Sequence, residues 1–320
     1  MAVGSERFSR LAVPALHAAL LFAFVPFGAQ PFSRPKLLVL GCGACALAIA
    51  ALLRPARAPR LPLAVALAWL LLSCRSPLDA AAALLLIALL HLRFDLRGFS
   101  LMGSALSLIV IAQWTLPGPR LRMFGTLGNP DFCAAWLGAT ICIAVGERNR
   151  VAIALHALAL AAIASFATVL ALAAAALCVR KRSFALFAAG ALCAAAAGRD
   201  PGRVLQGRIE LHQIAAPYAL VSPWTGLCPG AVREQILKWG AHDDWLERAI
   251  EQGFPAMLAL AALALLALRR ASRQPAAAAG VASLAARAFV DFPLSRPAEL
   301  ALFVTLVALC LKEEPCPDSR

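Results

Sequence analysis

Long blocks of alanine and leucine, separated by short arginine-containing links, dominate this sequence. Hydrophobic residues make up 62% of its 320 residues and charged residues only 15%, whereas soluble domains are about 45–50% apolar and about 25% charged. A soluble chain of this composition would expose much apolar surface to water, and a chain embedded in a bilayer would not. We therefore expect an all-α, polytopic transmembrane helical bundle.

Twelve apolar stretches are candidates for spanning helices, each of which ordinarily needs about 20 residues. The run 151–179 is too long for one ordinary crossing, and we divide it near Ser165. The candidate spans are 11–30, 37–53, 61–73, 80–92, 100–116, 131–146, 151–164, 166–179, 184–198, 253–268, 276–290 and 297–311.

The basic residues predict the orientation of these spans. With the N-terminus in the cytoplasm and alternating sides, seventeen basic residues fall in cytoplasmic segments and six in the opposite short loops. This asymmetry follows the positive-inside rule and predicts that both termini are cytoplasmic. The net charge of +13 is thus explained by topology, and membrane lipids are the expected surroundings. No basic patch interleaved with aromatic residues is present, so we expect no nucleic-acid partner.

The segment 199–252 is the one long interruption of the apolar pattern, and it precedes the tenth span on the outer side. Its tryptophans and many aliphatic residues predict an ordered structure. We expect one integral membrane domain, 1–320, that carries 199–252 as an external insert. The ten cysteines lie mostly inside apolar runs, which is typical of small packing residues. We expect no metal and no cofactor.

The first candidate site is the sequence RLRMFGTLGNPDF at 120–132, between the fifth and sixth spans. Its glycines and proline predict a bent backbone, and Asn129 can bond its own backbone ahead of Asp131. Arg120 and Arg122 offer forked donors that fit phosphate oxygens. These residues predict either an anion site at the membrane surface or an ordinary interfacial turn with snorkelling arginines.

Two further candidates lie within the long insert. Arg208 begins an amphipathic stretch in QGRIELHQ, with Ile209, Leu211 and Ile214 able to share one face, and Trp224 follows in SPWTG. Such a helix could lie along the membrane interface. Arg208 is therefore either a site residue or a solvated arginine on this helix.

The end of the insert, WGAHDDWLERAIEQGFP, holds His242 at the start of a predicted helix that leads into the tenth span. Asp243 and Asp244 would occupy its first turn, where the helix dipole favours acidic side chains, and Glu251 lies near its end. An imidazole can accept a proton from a hydroxyl near neutral pH. His242 is either such a base or a surface histidine.

The last candidate is Arg287, which is followed four residues later by Asp291. Ionisable residues within a span are costly and indicate a functional site by default. This pair is either a structural ion pair or part of a site near the outer end of the eleventh span.

In this order, the external motifs resemble those of the O-antigen ligase and O-antigen polymerase family. The similar stretches are RMFGTLGNPDF, then GRIELHQIAAPYALVSPWTGLCPG, then AHDDWLERAIEQG, and finally DFPLSRPAELALF. The resemblance covers about 120–311. The chain departs from the family pattern in having Asp131 and Asp243 where asparagines are typical, and in lacking an arginine beside Ser165.

The resemblance implies a metal-independent, inverting glycosyltransferase of the bacterial inner membrane with a periplasmic active site. The donor would be a glycan on undecaprenyl diphosphate and the acceptor a sugar hydroxyl, such as that of lipid A–core. His242 would be the general base, while Arg122 and Arg208 would hold the diphosphate. The substrate-binding residues would be Arg120, Asn129, Asp131, Trp224, Asp243, Asp244, Glu251 and Arg287.

Two alternatives stay open. The chain could be an O-antigen polymerase of the same family, because polymerases and ligases differ in acceptor rather than in chemistry. It could also be a non-enzymatic transporter or flippase for a lipid-linked anion. A transporter typically buries charge near the bilayer midplane, whereas most charges of this sequence lie in the links and the insert.

Overall fold

The computed structural model describes residues 2–23, 33–53, 58–96, 98–115, 126–127, 129–179, 186, 189–190, 201–237 and 240–312. All elements within these ranges are helical. The α-helices are α1 (Ala2–Phe22), α2 (Ser33–Leu52), α3 (Arg60–Leu72), α4 (Pro77–His91), α5 (Phe99–Thr115), α6 (Pro130–Glu147), α7 (Arg150–Ile163), α8 (Phe166–Val179), α9 (Pro201–Ala215), α10 (Asp244–Gln252), α11 (Phe254–Arg269), α12 (Pro275–Arg287) and α13 (Pro297–Leu311). Short 3-10 turns at Ala216–Leu220 and Pro293–Ser295 and a π turn at Val232–Ile236 complete the fold.

The helices begin where the sequence supplies proline or a capping side chain. The side chain of Ser76 caps α4 by accepting from the backbone N–H of Asp79, and Asn149 caps α7 in the same way. Proline occupies the first turn of α4, α6, α11, α12 and α13, where its missing N–H costs nothing. These local signals explain why the helices start within a few residues of the predicted spans.

The division of the long run 151–179 is confirmed. Helix α7 ends at Ile163, Ala164 takes a left-handed conformation with φ of 54°, and α8 starts at Phe166. Every other predicted span except 184–198 contains a described helix, and that stretch lies mostly outside the described residues. The number of membrane crossings stays a prediction.

Helices α6 and α13 form the centre of the bundle. Their side chains are buried almost from end to end, and α13 packs against α4, α11 and α12. The peripheral helices instead present large apolar side chains outward, among them Leu38, Leu71, Leu101 and Leu177, which are at least 70% exposed. Judged by length and apolar composition, Arg34–Leu52 is the one described helix long enough to cross a bilayer; eight further apolar helices are 10–17 residues long.

The bundle has two chemically different ends. At one end, called the polar end below, the start of α6, the α7–α8 turn and the end of α12 meet through Asp131, Ser165 and Arg287. At the other end, called the basic end, α11 and α13 finish side by side, where Arg270 donates to the carbonyl of Leu311. Contacts of the insert place it at the polar end, because the N–H of Asp244 donates to the carbonyl of Ala288 after α12 and Arg208 lies near Asp131 and Asp291.

Candidate functional site

The insert folds back on itself at two of the sequence motifs. The N–H of Leu227 donates to the carbonyl of Ile250 at 2.8 Å, and the N–H of Phe254 donates to that of Pro223 at 2.8 Å. Only glycine fits at this contact: a Cβ on Gly226 would lie 2.3 Å from the backbone of Gln252, and one on Gly253 would lie 2.6 Å from that of Trp224. Both glycines also have positive φ angles. SPWTG and EQG therefore form one packed unit.

Arg287 is the centre of the first polar cluster. Its side chain is 1% exposed and donates to Asp291 Oδ2 at 3.1 Å, to Asp131 Oδ1 at 3.1 Å and to the hydroxyls of Ser165 and Thr168 at 3.0 and 2.9 Å. Ser165 donates in turn to Asp131 at 2.6 Å. The predicted ion pair of Arg287 and Asp291 is thus present, and it joins the ends of three helices.

His242 lies beside this cluster and not within a helix. Its φ is 53°, in the left-handed region, and Asp243 follows as the N-cap of α10, which begins only at Asp244. The prediction that His242 opens the helix is therefore off by two residues. The ring packs on Phe292 with centroids 4.8 Å apart, and Nδ1 lies 3.9 Å from Asp291 Oδ1. This separation is too long for a hydrogen bond, so Nδ1 is buried without a hydrogen-bond partner.

The charge of Asp291 is well stabilised despite its burial. Burial alone would disfavour the carboxylate, but the neighbouring His242, the Arg287 guanidinium and the N–H of Phe292 lower the pKa of Asp291 to about 2. Asp291 is therefore an anion at neutral pH. Asp291, and not Asp243 or Asp244, is the acidic partner of the His242 imidazole.

A cavity of about 120 Å³ opens next to Asp291. It is lined by Asp131, Ser165, Asp291, Leu205 and Arg208, together with backbone and apolar atoms of the α7–α8 turn. Partial burial lowers the pKa of Arg208, whereas the nearby carboxylates of Asp291 and Asp131 raise it. An arginine stays protonated in either case. Arg208 and His242, which are 34 positions apart in the chain, thus both come near Asp291.

A second polar cluster surrounds Arg248, which is 3% exposed. Its guanidinium donates to Asp79 Oδ1 at 3.0 and 3.2 Å and to the carbonyl of Leu294 at 2.6 Å. It also lies 3.4 Å from Asp244, the predicted i,i+4 partner. Asp244 accepts further hydrogen bonds from the N–H of Leu294 and the hydroxyl of Ser295. This cluster fastens the insert to α4 and to the segment before α13.

The other predicted site residues have structural contacts of their own. Asn129 caps α6, and Asp243 caps α10 while lying 3.8 Å from His212. Glu251 accepts from the N–H of Val232 at 3.2 Å, whereas Trp224 is 76% exposed. On α9 the expected apolar face is not buried, since Ile209 and Ile214 are 41% and 53% exposed.

Two predicted site residues, Arg120 and Arg122, lie outside the described residues. Conversely, sequence reasoning missed Ser165, Thr168, Asp79 and Phe292 as members of these clusters. Asp79 carried a usable signal, because a carboxylate within an apolar block demands a partner. Neither Ser165 nor Thr168 carried one, since a hydroxyl in an apolar helix commonly bonds its own backbone.

Among the described residues, no group of three or more histidine, cysteine, aspartate or glutamate side chains could hold a metal ion. No family model matches the chain, and no curated protein matches it. The functional assignment therefore depends on the motifs and on the geometry at the polar end.

Proposed function

We propose that this protein is a membrane-embedded glycosyltransferase of the O-antigen ligase or polymerase type. It moves a glycan from undecaprenyl diphosphate to a sugar hydroxyl at the periplasmic face of the bacterial inner membrane. The observation that carries the proposal is that His242 and Arg208 both lie near the same buried carboxylate: His242 Nδ1 is 3.9 Å from Asp291 Oδ1, and Arg208 lines the cavity together with Asp291.

His242 acts on the acceptor as the general base. The acceptor oxygen attacks the anomeric carbon, the bond from that carbon to the diphosphate oxygen breaks, and the hydroxyl proton passes to the Nε2 atom of His242. Asp291 stabilises the imidazolium through the Nδ1 side of the ring, 3.9 Å away in the unliganded site; such contacts tighten when substrate binds. Direct displacement inverts the anomeric centre.

The leaving diphosphate needs positive charge more than it needs a proton. Within the described part of the cavity, Arg287 is fully engaged by Asp131 and Asp291, which leaves Arg208 as the cation that faces the cavity. One guanidinium does not balance a diphosphate. We therefore assign the remaining charge to Arg120 and Arg122, which precede Asp131 in the chain, and whose forked donors suit phosphate oxygens.

The surface of the bundle supports its place in a membrane. Leucines on α2, α3, α5 and α8 face outward, as do Leu258 and Leu265 on α11, and such a belt favours contact with lipid over contact with water. Twelve crossings with both termini in the cytoplasm put the polar end in the periplasm. There the insert 199–252 covers the site.

Replacement of His242 tests this function directly. We expect His242→Ala to lower glycan transfer by about 10²- to 10⁴-fold, the usual contribution of a positioned base, without loss of the protein from the membrane. The matched control is His91→Ala, because His91 lies at the far end of α4 and bonds only the carbonyl of Ile87 among the contacts described for it. Transfer at the wild-type rate by His242→Ala would refute the assignment of the base.

Deletion of the gene in the native host separates the two transferase types. Gel analysis of lipopolysaccharide would show uncapped core and accumulating lipid-linked polymer if the protein is a ligase. It would show core capped with single repeats if the protein is a polymerase. An unchanged lipopolysaccharide profile would contradict both.

A further inference from the structure

A second cavity, of about 180 Å³, lies at the polar end, and Arg233 is one of its lining residues. The ring centroid of Phe292 is 4.8 Å from that of His242 and 4.7 Å from the Arg233 guanidinium carbon. Phe292 therefore contacts both His242 and a residue of the second cavity. The cavity walls come from the α3–α4 turn, from α10, and from Gly230 and Ser295.

The lining of this cavity is dense in both donors and acceptors. Six charged or amide side chains contribute to it, those of Asp79, Arg233, Glu247, Arg248, Glu251 and Gln252. The strongest charges are already compensated, since Arg233 lies 3.3 Å from Glu247 and Arg248 lies 3.0 Å from Asp79. These two pairs leave Glu251 as the one uncompensated charge among the described lining residues, so a phosphate would find no net positive charge and a free metal cation would find a single carboxylate.

Two buried side-chain atoms of the described lining nevertheless lack a hydrogen-bond partner, Arg248 Nη1 and Gln252 Oε1. The side chain of Gln252 donates its amide N–H to Asp79 at 2.6 Å, but its carbonyl oxygen Oε1 has no hydrogen-bond partner. Gln252 is only 8% exposed, and an unsatisfied buried acceptor costs about 1–3 kcal/mol. The cavity is several times larger than the roughly 30 Å³ that one water occupies in the liquid. A polar ligand larger than a water would both fill the cavity and satisfy this oxygen.

We propose that this second cavity binds a sugar ring, as the subsite that positions a glycan beside His242. Each hydroxyl of a sugar donates and accepts at once, so vicinal hydroxyls match a wall of guanidinium, carboxylate and amide groups. Glu251 and the Gln252 carbonyl accept from the hydroxyls, while Arg233 donates to them. The proposal rests on the proposed function, because the sugar is taken to belong to the acceptor or to the donor glycan.

The test measures binding of two soluble probes to the full chain in lipid nanodiscs. One probe is the delipidated core oligosaccharide of the host, and the other is the oligosaccharide repeat released from the lipid-linked donor. We expect one of them to bind, which identifies whether the subsite serves acceptor or donor. Binding of neither probe to the wild-type protein would overturn the proposal.

Glu251→Gln is the informative variant, because its amide oxygen can still accept from the N–H of Val232. We expect it to weaken binding of the probe about tenfold and to raise KM for the same substrate about tenfold, with kcat little changed. Gln252→Met, which keeps the volume and removes the free carbonyl, should also weaken binding. The control is Glu234→Gln, since Glu234 is exposed and does not line the cavity.

The outcomes separate this proposal from the transferase assignment. If transfer depends on His242 but saccharide binding is the same in wild type, Glu251→Gln and Gln252→Met, the sugar subsite is wrong and the transferase stands. If saccharide binding depends on Glu251 but the protein transfers no glycan, the subsite stands and the transferase assignment fails.

Discussion

Two buried arginines at the same end of the bundle differ in what they connect. Arg287 bonds to side chains that come from α6, α8, the α7–α8 turn and the segment after α12, all within the bundle. Arg248 belongs to the insert and bonds to α4 and to the segment before α13. Arg287 therefore positions groups around a cavity, whereas Arg248 attaches one part of the chain to another.

The exposure of their partners differs as well. Asp131, a partner of Arg287, has a side chain that is 46% exposed, while the side chains of Asp79 and Asp244 around Arg248 are 3% and 0% exposed. A partly hydrated network tolerates change better than a sealed one, because water can replace a lost partner. The comparison teaches that the network with the exposed carboxylate suits chemistry, whereas the buried one attaches the insert even though its residues also form part of the wall of the second cavity.

The largest effect should follow from Arg248→Met. The change leaves Asp79 and Asp244 buried without their cation, which typically costs about 3–5 kcal/mol. We expect a marked drop in the thermal unfolding midpoint in detergent, with loss of the folded insert. Arg273→Met is the control, because Arg273 is exposed at the basic end. A midpoint equal to that of the control would show that the cluster does not attach the insert.

Arg287→Met should destabilise the protein less, by about 3 kcal/mol at most, because Asp131 can be rehydrated and the buried Asp291 keeps the N–H of Phe292 and the neighbouring His242 imidazole. Transfer activity should nevertheless fall as far as in His242→Ala, since Asp291 and Ser165 lose the group that holds them at the cavity. Measuring the thermal unfolding midpoint and the transfer activity of Arg287→Met beside those of His242→Ala checks both expectations. A variant with normal activity would remove the Arg287 network from the site.

The charge of Asp291 predicts a pH dependence. Its pKa is lowered from 3.8 to about 2 in the folded protein, so the unfolded state binds the proton more readily. The resulting stabilisation, about 2 kcal/mol, is present above pH 4 and is lost as the pH falls through 2. Unfolding midpoints measured from pH 6 down to pH 2.5 should decline less in Asp291→Asn than in the wild type. An equal decline of the unfolding midpoint in both proteins would contradict the conclusion that Asp291 is ionised in the folded state.

The smallest effect on transfer is expected at the fold-back of the insert. Gly226→Ala places a Cβ 2.3 Å from the backbone of Gln252 at a φ of 67°; the left-handed conformation alone costs about 1–2 kcal/mol, and the backbone contact must also shift. The variant should weaken saccharide binding at the second cavity more than it lowers transfer. Gly207→Ala is the matched control, because a Cβ there meets nothing within 4 Å and alanine favours the helix. Destabilisation of both variants alike would argue against a specific contact at Gly226.

Local pairs were predictable, but distant ones were not. The pairing of Arg287 with Asp291 and of Asp244 with Arg248 followed from their spacing of four residues on a helix. The contacts of Arg248 with Asp79 and of Arg287 with Asp131 join residues 169 and 156 positions apart. No periodicity in one sequence specifies which of several distant carboxylates meets a given arginine.

The neighbourhood of His242 illustrates the same limit. Asp243 and Asp244 follow His242 directly in the chain, yet Asp243 caps the helix and Asp244 belongs to the Arg248 cluster. The left-handed backbone at His242 directs the ring toward Phe292 and Asp291 instead. A capping side chain is already committed to backbone N–H groups, so it was a poor candidate for a second partner.

By itself, the sequence determined the all-helical character, the approximate limits of most helices and the division at Ser165, because these depend on the composition and caps of neighbouring residues. Only the tertiary structure decided that His242 and Arg208 both come near Asp291, and that Arg233, Glu251 and Gln252 line a second polar cavity. Such arrangements depend on which helix ends meet. Packing among similar alanine- and leucine-rich surfaces settles that question, and one sequence read along its length does not.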